Sequence, residues 1–518
     1  MSRAIVAAGH PDTAAAAAAV LAAGGNAFDG AVAALVAACV AEPVLASLGG
    51  GGFLHARPAG EAPQLFDFFT QTPGCRATAA GLDFYPVHAD FGDATQEFHI
   101  GRGAMATPGA VAGLFAIQRH LCRLPLADLL APARALAERG VAVNPVQHGI
   151  ARIVEPILRA DPATFALHAS PSEPTRLATV GERIPWPDFA AALDALAAAG
   201  PGLLHGGPWS ERLAADCATG GGHLTVADLA DYRVAQREPL VLDYRDARLY
   251  LNPPPSVGGA LLALTLELLG ETSLGGMDFG NPDHRLALAA AMAATAEARA
   301  VLAPGRLPDA TARAAQRTGF PARLAALGLP RHVFRRGTTQ ISIADGDGNL
   351  ASLTLSNGEG AAYVLPGTGI VMNNMLGEAD LAGGGGFHQW PENTRVGSMM
   401  CPTLVAHGDG GWTVTGSSGS NRIRSAILQV LVNRIDLHLP LAEAVAAPRL
   451  HLEGEALSLE PPVAETTRAA LAAHWPRLQV WRGRSVFFGG AHSVGIDAGG
   501  GLHGAGDARR GGVVQMVD

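Results

Sequence analysis

The chain has 518 residues, 48% of them hydrophobic and 16% charged, with a formal net charge of −9. That length and apolar fraction support a large buried core and exclude global disorder, while the mild acidity leaves no electrostatic footprint for nucleic acid. All 37 basic residues are arginine, so Schiff-base and pyridoxal-phosphate chemistry, a Walker A loop and a Ser-x-x-Lys hydrolase are excluded.

In chain order, "HPDTAAAAAAVLAAGGNAFDGAVAALVAACVAEP" predicts two helices, broken at Gly24-Gly25 and ended by Pro43. The second is rich in weakly hydrophobic alanine and reads as a buried helix, not a membrane span. No basic n-region and apolar h-region precede it, which predicts a cytoplasmic protein for the chain as given; an upstream leader would make it periplasmic or secreted. "SLGGGGFLHARP" and "APQLFDFF" predict tight turns and strands, and residues 108–200 read mainly as helix. "PLVLDYRDARLYLNPPPSVGG" predicts two strands and a Pro-Gly turn, followed by helices over "ALLALTLELLG" and "DHRLALAAAMAATAEARAVL". Behind them, "TQISIA" and "LASLTL" alternate around "DGDGN", a hairpin signal, and further strands are predicted at "TGIVMNN", "TLVAHGDGGWTVTG", "RLHLEGEALSLE" and "GGAHSVGIDAGGGLHG". A helical front and a strand-rich back form two halves of one layered α/β core.

Most chemistry-bearing motifs fail on inspection. Asp345, Asp347 and Asn349 match the first ligands of a calcium loop, but Leu350 replaces its glycine and Ser356 its terminal glutamate, so a turn is the better reading. "GRGAMA" fits a dinucleotide pattern but runs into Thr107-Pro108-Gly109, and "GSSGSNR" lacks the last glycine of a nucleophile elbow. Cys39, Cys75, Cys122, Cys217 and Cys401 are scattered, and the histidines form no ligand pair at helical spacing. Neither a metal nor a cofactor is expected. Thr338 remains, at the mouth of the hairpin. A threonine hydroxyl needs an adjacent base, and cleavage just before it would supply one, the new α-amine, with an ordinary pKa of about 7.7–8.0. On these residues alone, a plain strand start and a nucleophile both stand open.

The surrounding motifs sharpen the choice. "EPVLASLGGGGFL", "TPGAVAGL", "PPPSVGG", "TTQISIADGDGNLASLTL", "GTGIVMNNML", "SMMCPTLV", "GSSGSNRI", "APRLH" and "GAGDARRGG" occur in one order along nearly the whole chain. This ordered set resembles the gamma-glutamyltransferase family of N-terminal-nucleophile hydrolases. The resemblance implies an α/β fold, a four-layer αββα sandwich, made as a precursor and cut between Gly337 and Thr338. The pieces 1–337 and 338–518 would remain associated as one unit. It further implies Thr338 as nucleophile, Thr354 as its supporting threonine, and the backbone N–H groups of Gly419 and Ser420 as the oxyanion hole.

In the pocket, the chain departs from the family pattern. The arginine that holds the substrate α-carboxylate falls at Phe69, and an asparagine becomes Ser356, with Asn357 adjacent. A glutamine becomes Met375, the amine-gripping aspartate becomes Glu378, and of a serine pair only Ser398 remains, followed by Met399. Glu359 is an added carboxylate, and Arg102 and Arg395 are candidate replacements for the missing clamp. The resemblance implies hydrolysis of gamma-glutamyl amides such as glutathione, or transfer to an amino-acid or peptide acceptor. The alternatives are an acylase of the same family taking a glutaryl or β-lactam side-chain group, and an uncleaved non-catalytic relative.

Overall fold

The computed structural model describes residues 3–78, 81–90, 95–301, 337–378 and 386–518. Two antiparallel sheets form its centre. The first is built from β1 (Ala4–Ala8), β2 (Gly51–Arg57), β3 (Gln64–Phe68), β4 (Ala235–Arg237), β7 (Thr339–Asp345), β8 (Leu350–Ser356) and β13 (Val513–Val517), in the order β13-β1-β7-β8-β2-β3-β4. The second contains β5 (Leu240–Tyr244), β6 (Ala247–Leu251), β9 (Thr403–Ala406), β10 (Trp412–Thr415), β11 (Ser493–Ile496) and β12 (Leu502–Ala505), in the order β12-β11-β10-β9-β6-β5. Every neighbouring pair within the two sheets is antiparallel.

Strand alternation decides what each face meets. On β7, Ile341 and Ile343 join Leu353 and Leu355 of β8 in a core under helices α1 (Pro11–Ala22), α2 (Ala27–Ala41), α3 (Ala110–Leu121) and α4 (Leu126–Arg139). The opposite face is shared between the sheets. Ile5, Ala344 and Leu350 there meet Leu404, Val414 and Val494 of the second sheet. Behind that sheet, α5 (Gly258–Gly270), α6 (Pro282–Val301) and α7 (Arg422–Ile435) close a second helical core. The architecture is therefore the expected αββα sandwich.

Both N-terminal helices begin as the sequence dictates. Pro11 opens α1, and Asn26 caps α2 in a reciprocal box with Asp29. All fifteen residues of α2 are buried. Among the described residues, no helix is long and apolar enough to cross a membrane. "DGDGN" is a turn: Asp345 accepts the N–H groups of Asp347 and Asn349, and its other oxygen accepts Ala27 N–H at 2.8 Å. No cluster of metal-ligating side chains occurs among the described residues.

Among the strands that the sequence reading misses, two frame the first sheet. β1 and β13 sit at the chain's ends, where only helix is anticipated in front, yet β1 pairs directly with β7. Each is five residues long, too short for periodicity to declare itself. Both central sheets combine strands from before and after Gly337, so neither half of the chain builds either of them alone.

Candidate active site

Thr338 stands immediately before β7, across from the last residue of β8. The register Thr339↔Leu355 and Gln340↔Thr354 places Thr338 opposite Ser356, on the face between the sheets. Close approach of β2 fixes that end of β8. A Cβ on Gly50 would lie 2.2 Å from Ser356 O, so the glycine run "GGGG" is a steric requirement.

Polar contacts gather on one peptide group. Thr338 Oγ1 donates to Gly337 O at 2.7 Å, and Ser356 Oγ donates to the same oxygen at 2.7 Å. The N–H of Gly337 donates to Glu359 Oε1 at 2.9 Å. Glu359 is held in turn, because its N–H donates to Asn374 Oδ1 at 2.9 Å. On the other side, Thr339 Oγ1 donates to Glu42 Oε2 at 2.7 Å, and Thr13 Oγ1 donates to Glu42 Oε1 at 2.9 Å. Burial pushes the Glu42 carboxyl up to about 6, against these hydrogen bonds and the pull of Arg510.

Thr354, which pairs with Gln340 next along the strand from Thr338, bonds Gln340: its Oγ1 donates to Gln340 Oε1 at 2.6 Å. Gln340 Nε2 then donates to Ser342 Oγ and Ser352 Oγ. This satisfied polar ladder anchors the strand that carries Thr338, so any support from Thr354 passes through Gln340.

Gly419 and Ser420 stand on either side of the scissile pair expected from the sequence, Gly419 sharing a cavity with Gly337 and Ser420 one with Thr338. Gly419 has φ of 108° and Ser420 has φ of 55°, both left-handed, immediately before α7 begins at Arg422. A left-handed serine is strained, a condition that concentrates at functional sites. The N–H groups of Arg422 and Ile423 turn back onto Gly419 O and Ser420 O, and that of Ser418 bonds Gly490 O. Those of Gly419 and Ser420 carry no hydrogen bond among the described residues. Two successive free N–H groups at a helix start form an anion-binding nest.

Two cavities flank this centre. One, of about 290 Å³, is lined by Thr338, Ser356 and Ser420 together with Phe69, Glu378 and Ser398. Met375, Met399, Met400 and Ile423 complete its wall, so the lining is divided about evenly between polar and apolar side chains. The Phe69 ring stacks on Phe53 at 5.5 Å, and its carbonyl accepts Tyr232 Oη and Arg395 Nη1, each at 2.6 Å. Arg395 is thereby engaged with the backbone and with Asp67, and Arg102 pairs with Asp83 at 3.1 Å. Neither arginine lines the cavity, and no cation does among the described residues.

The second cavity, of about 520 Å³, opens on the Gly337 side and takes in Glu359, Gly419, Arg422 and Arg510. The sequence-predicted residues therefore divide. Phe69, Thr338, Ser356, Glu378, Ser398 and Ser420 meet in the first cavity, while Gly337, Glu359 and Gly419 line the second. Asn357 lines neither. The second cavity went unforeseen because its walls come from seven separate stretches with no local motif.

A sandwich of this kind, with a threonine opening an inner strand beside a nest of N–H groups, defines an N-terminal-nucleophile hydrolase. The gamma-glutamyltranspeptidase profile matches residues 13–517. The chain belongs to that family. It is 34% identical over 490 residues to the acylase ACY 1 proenzyme of Pseudomonas sp. (strain V22), spanning 91% of this chain and 86% of that protein. It is 29% identical over 514 residues to the glutathione hydrolase proenzyme of Escherichia coli (strain K12), spanning 93% and 86%. Among solved structures, cephalosporin acylase from Bacillus halodurans superposes with a TM-score of 0.84 at 25% identity, over 99% of this chain and 96% of that one.

Proposed function

We propose that this protein is a self-processing acylase with a threonine nucleophile, acting on amides whose acyl group is compact, has an apolar portion and is free of a carboxylate. The cavity at Thr338 carries this reading. Its wall offers the Phe69 ring and methionines, with Glu378 as its carboxylate and no cation among the described residues. A bidentate clamp for an α-carboxylate needs a guanidinium, and an apolar ring cannot replace one. Glu378 would accept a hydrogen bond from an amine on the acyl group and would repel a carboxylate.

Maturation follows from the contacts of Gly337. Thr338 Oγ1 adds to the Gly337 carbonyl carbon, with Ser356 Oγ donating to its oxygen. The bond to Thr338 N then breaks, leaving an ester and a free α-amine, and water hydrolyses the ester to release the Gly337 carboxylate. In turnover, the α-amine takes the proton of Thr338 Oγ1 as the hydroxyl attacks the substrate carbonyl. The Gly419 and Ser420 N–H groups receive the developing oxyanion, and the amine proton returns to the leaving nitrogen. Water, or an amino-acid or peptide amine, then accepts the acyl group.

A second reading, gamma-glutamyl hydrolysis or transfer, is favoured by Glu378 standing at the amine-gripping position of the family. Incubating processed protein with phenylacetyl, γ-glutamyl and glutaryl p-nitroanilides separates the two. The expected order of kcat/KM is phenylacetyl, then γ-glutamyl, then glutaryl. Faster γ-glutamyl release would favour the second reading, a glutaryl preference would sink both, and release from none would leave the non-catalytic relative.

A further inference from the structure

A third cavity, of about 520 Å³, takes no part in the chemistry above. One wall is the end of α2 and the turn after it, Val40 to Val44, and the others come from residues 141–151 and 167–186. The helix Pro145–Ile153 serves this space on one face and the cavity beside Gly337 on another. Asn144 caps that helix, accepting Gln147 N–H at 2.8 Å. Helical spacing then sorts its side chains. Gln147 and Ala151, four apart, line the third cavity, whereas Ile150 and Ile153, three apart, line the one beside Gly337.

The lining of the third cavity is apolar apart from two side chains. Val40, Val44, Val143, Leu167, Ile184 and Trp186 supply much of it, and no charged side chain joins them among the described residues. The exceptions are Gln147, 9% exposed, and His168, 6% exposed. Gln147 Nε2 has no hydrogen-bond partner among the described residues. The ring nitrogens of His168 have none there either. Burial lowers the imidazole pKa to about 4, so at neutral pH the ring is uncharged, with one N–H to give and one lone pair to receive. Trp186 is already committed: its Nε1 donates to Leu167 O at 3.0 Å, and its ring meets that of His168 edge-on at 6.3 Å. His168 is fixed through its backbone, donating to Phe165 O and accepting from Ala178 N–H, each at 2.9 Å.

Buried polar groups without partners are rare, because they have given up water and gained nothing for it. Two of them in one apolar space call for a ligand that supplies the missing partners. A charged ligand does not fit, since nothing in the wall would offset its desolvation. An end that both accepts and donates does fit, because Gln147 offers an N–H and His168 offers one of each.

We infer that this cavity is a second ligand site, separate from the catalytic centre, for an uncharged molecule with a ring or branched apolar body and a carboxamide-like end held by Gln147 and His168. Val44 lines both this cavity and the one beside Gly337, and Glu42, two residues earlier, accepts Thr339 Oγ1 at 2.7 Å. A molecule seated here packs against the turn that braces the nucleophile strand. The site is independent of which acyl group the enzyme takes.

The probe is benzamide, titrated into the purified full chain and followed by ligand-observed NMR, with benzoate and toluene alongside. Benzamide should bind saturably and at least about tenfold more tightly than benzoate, whose charge the wall leaves unpaired. Gln147→Leu should weaken benzamide by about tenfold, the loss of one buried hydrogen bond, and leave toluene nearly unchanged. Ala151→Phe, which fills the space from the helix, should abolish binding of both. Should Ala151→Phe misfold, the benzamide-to-toluene ratio in Gln147→Leu decides alone. The cavity at Thr338 is untouched by either variant, so benzamide bound there would give an affinity that neither variant moves. That result would overturn the inference, as would absence of saturable benzamide binding or benzoate binding as tightly as benzamide.

Discussion

Thr338 and Ser356 point their hydroxyls at one oxygen: each donates to Gly337 O at 2.7 Å. When Thr338 Oγ1 gives up its proton to attack, Ser356 Oγ becomes the remaining hydroxyl donor on the carbonyl that gains charge. Ser356→Ala should therefore slow self-cleavage by about 10², while Thr338→Ala should abolish it. Conversion to fragments 1–337 and 338–518 on a denaturing gel over time gives the rate. An unchanged half-time in Ser356→Ala would remove the serine from the maturation step.

Phe69 occupies the wall where a carboxylate clamp would stand, stacked on Phe53 and held through its carbonyl by Tyr232 and Arg395. Phe69→Arg should raise the ratio of γ-glutamyl to phenylacetyl anilide turnover by at least about tenfold, because a bidentate guanidinium gains a carboxylate partner as the apolar surface is lost. Steady-state kcat/KM for both anilides measures it. A ratio that stays level would mean that Phe69 does not face the acyl group.

Much of this site was legible in the chain. Alternation in "TQISIA" and "LASLTL" gave the hairpin, and the hairpin fixes Thr338 against Ser356, because register on a buried face admits no slip. The layered sandwich also followed from element order. What stayed hidden depends on contacts between distant segments. The pairing of β1 with β7 joins residues some three hundred positions apart, and the second cavity collects Val44, Ile150, Phe487 and Arg510. Asn357 shows a subtler limit: it adjoins Ser356 in sequence yet lines neither cavity.

Gly419 is left-handed, and Arg510 Nη2 would lie 3.1 Å from a Cβ placed there. Gly419→Ala carries a backbone cost of about 1–2 kcal/mol and pushes the nest against the guanidinium. Misaligning one of two oxyanion donors should lower kcat by about 10²–10³, with KM changed much less. The loss belongs to the nest if circular dichroism and thermal midpoint remain near wild type. A fall confined to KM would show that the turn binds substrate without stabilising the transition state.

Glu42 ties the nucleophile strand to the end of α2 and carries a pH signature. Burial raises its carboxyl from 4.5 to about 6, so the folded chain holds this proton more tightly than the unfolded chain does. Its stabilising contribution is then complete below about pH 4.5 and is lost as pH rises through about 6, a change of about 2 kcal/mol. Above that range the ionised carboxylate depends on Thr13 and Thr339, with Arg510 as its electrostatic counterweight. Glu42→Gln, made in the uncleaved Thr338→Ala background so that unfolding involves one chain, should flatten the decline between pH 4.5 and 6.5. Urea midpoints at half-unit pH steps would show it. Parallel curves for the two proteins across that window would mean that Glu42 titrates alike in the folded and unfolded chains, and that its link to Thr339 is indifferent to charge.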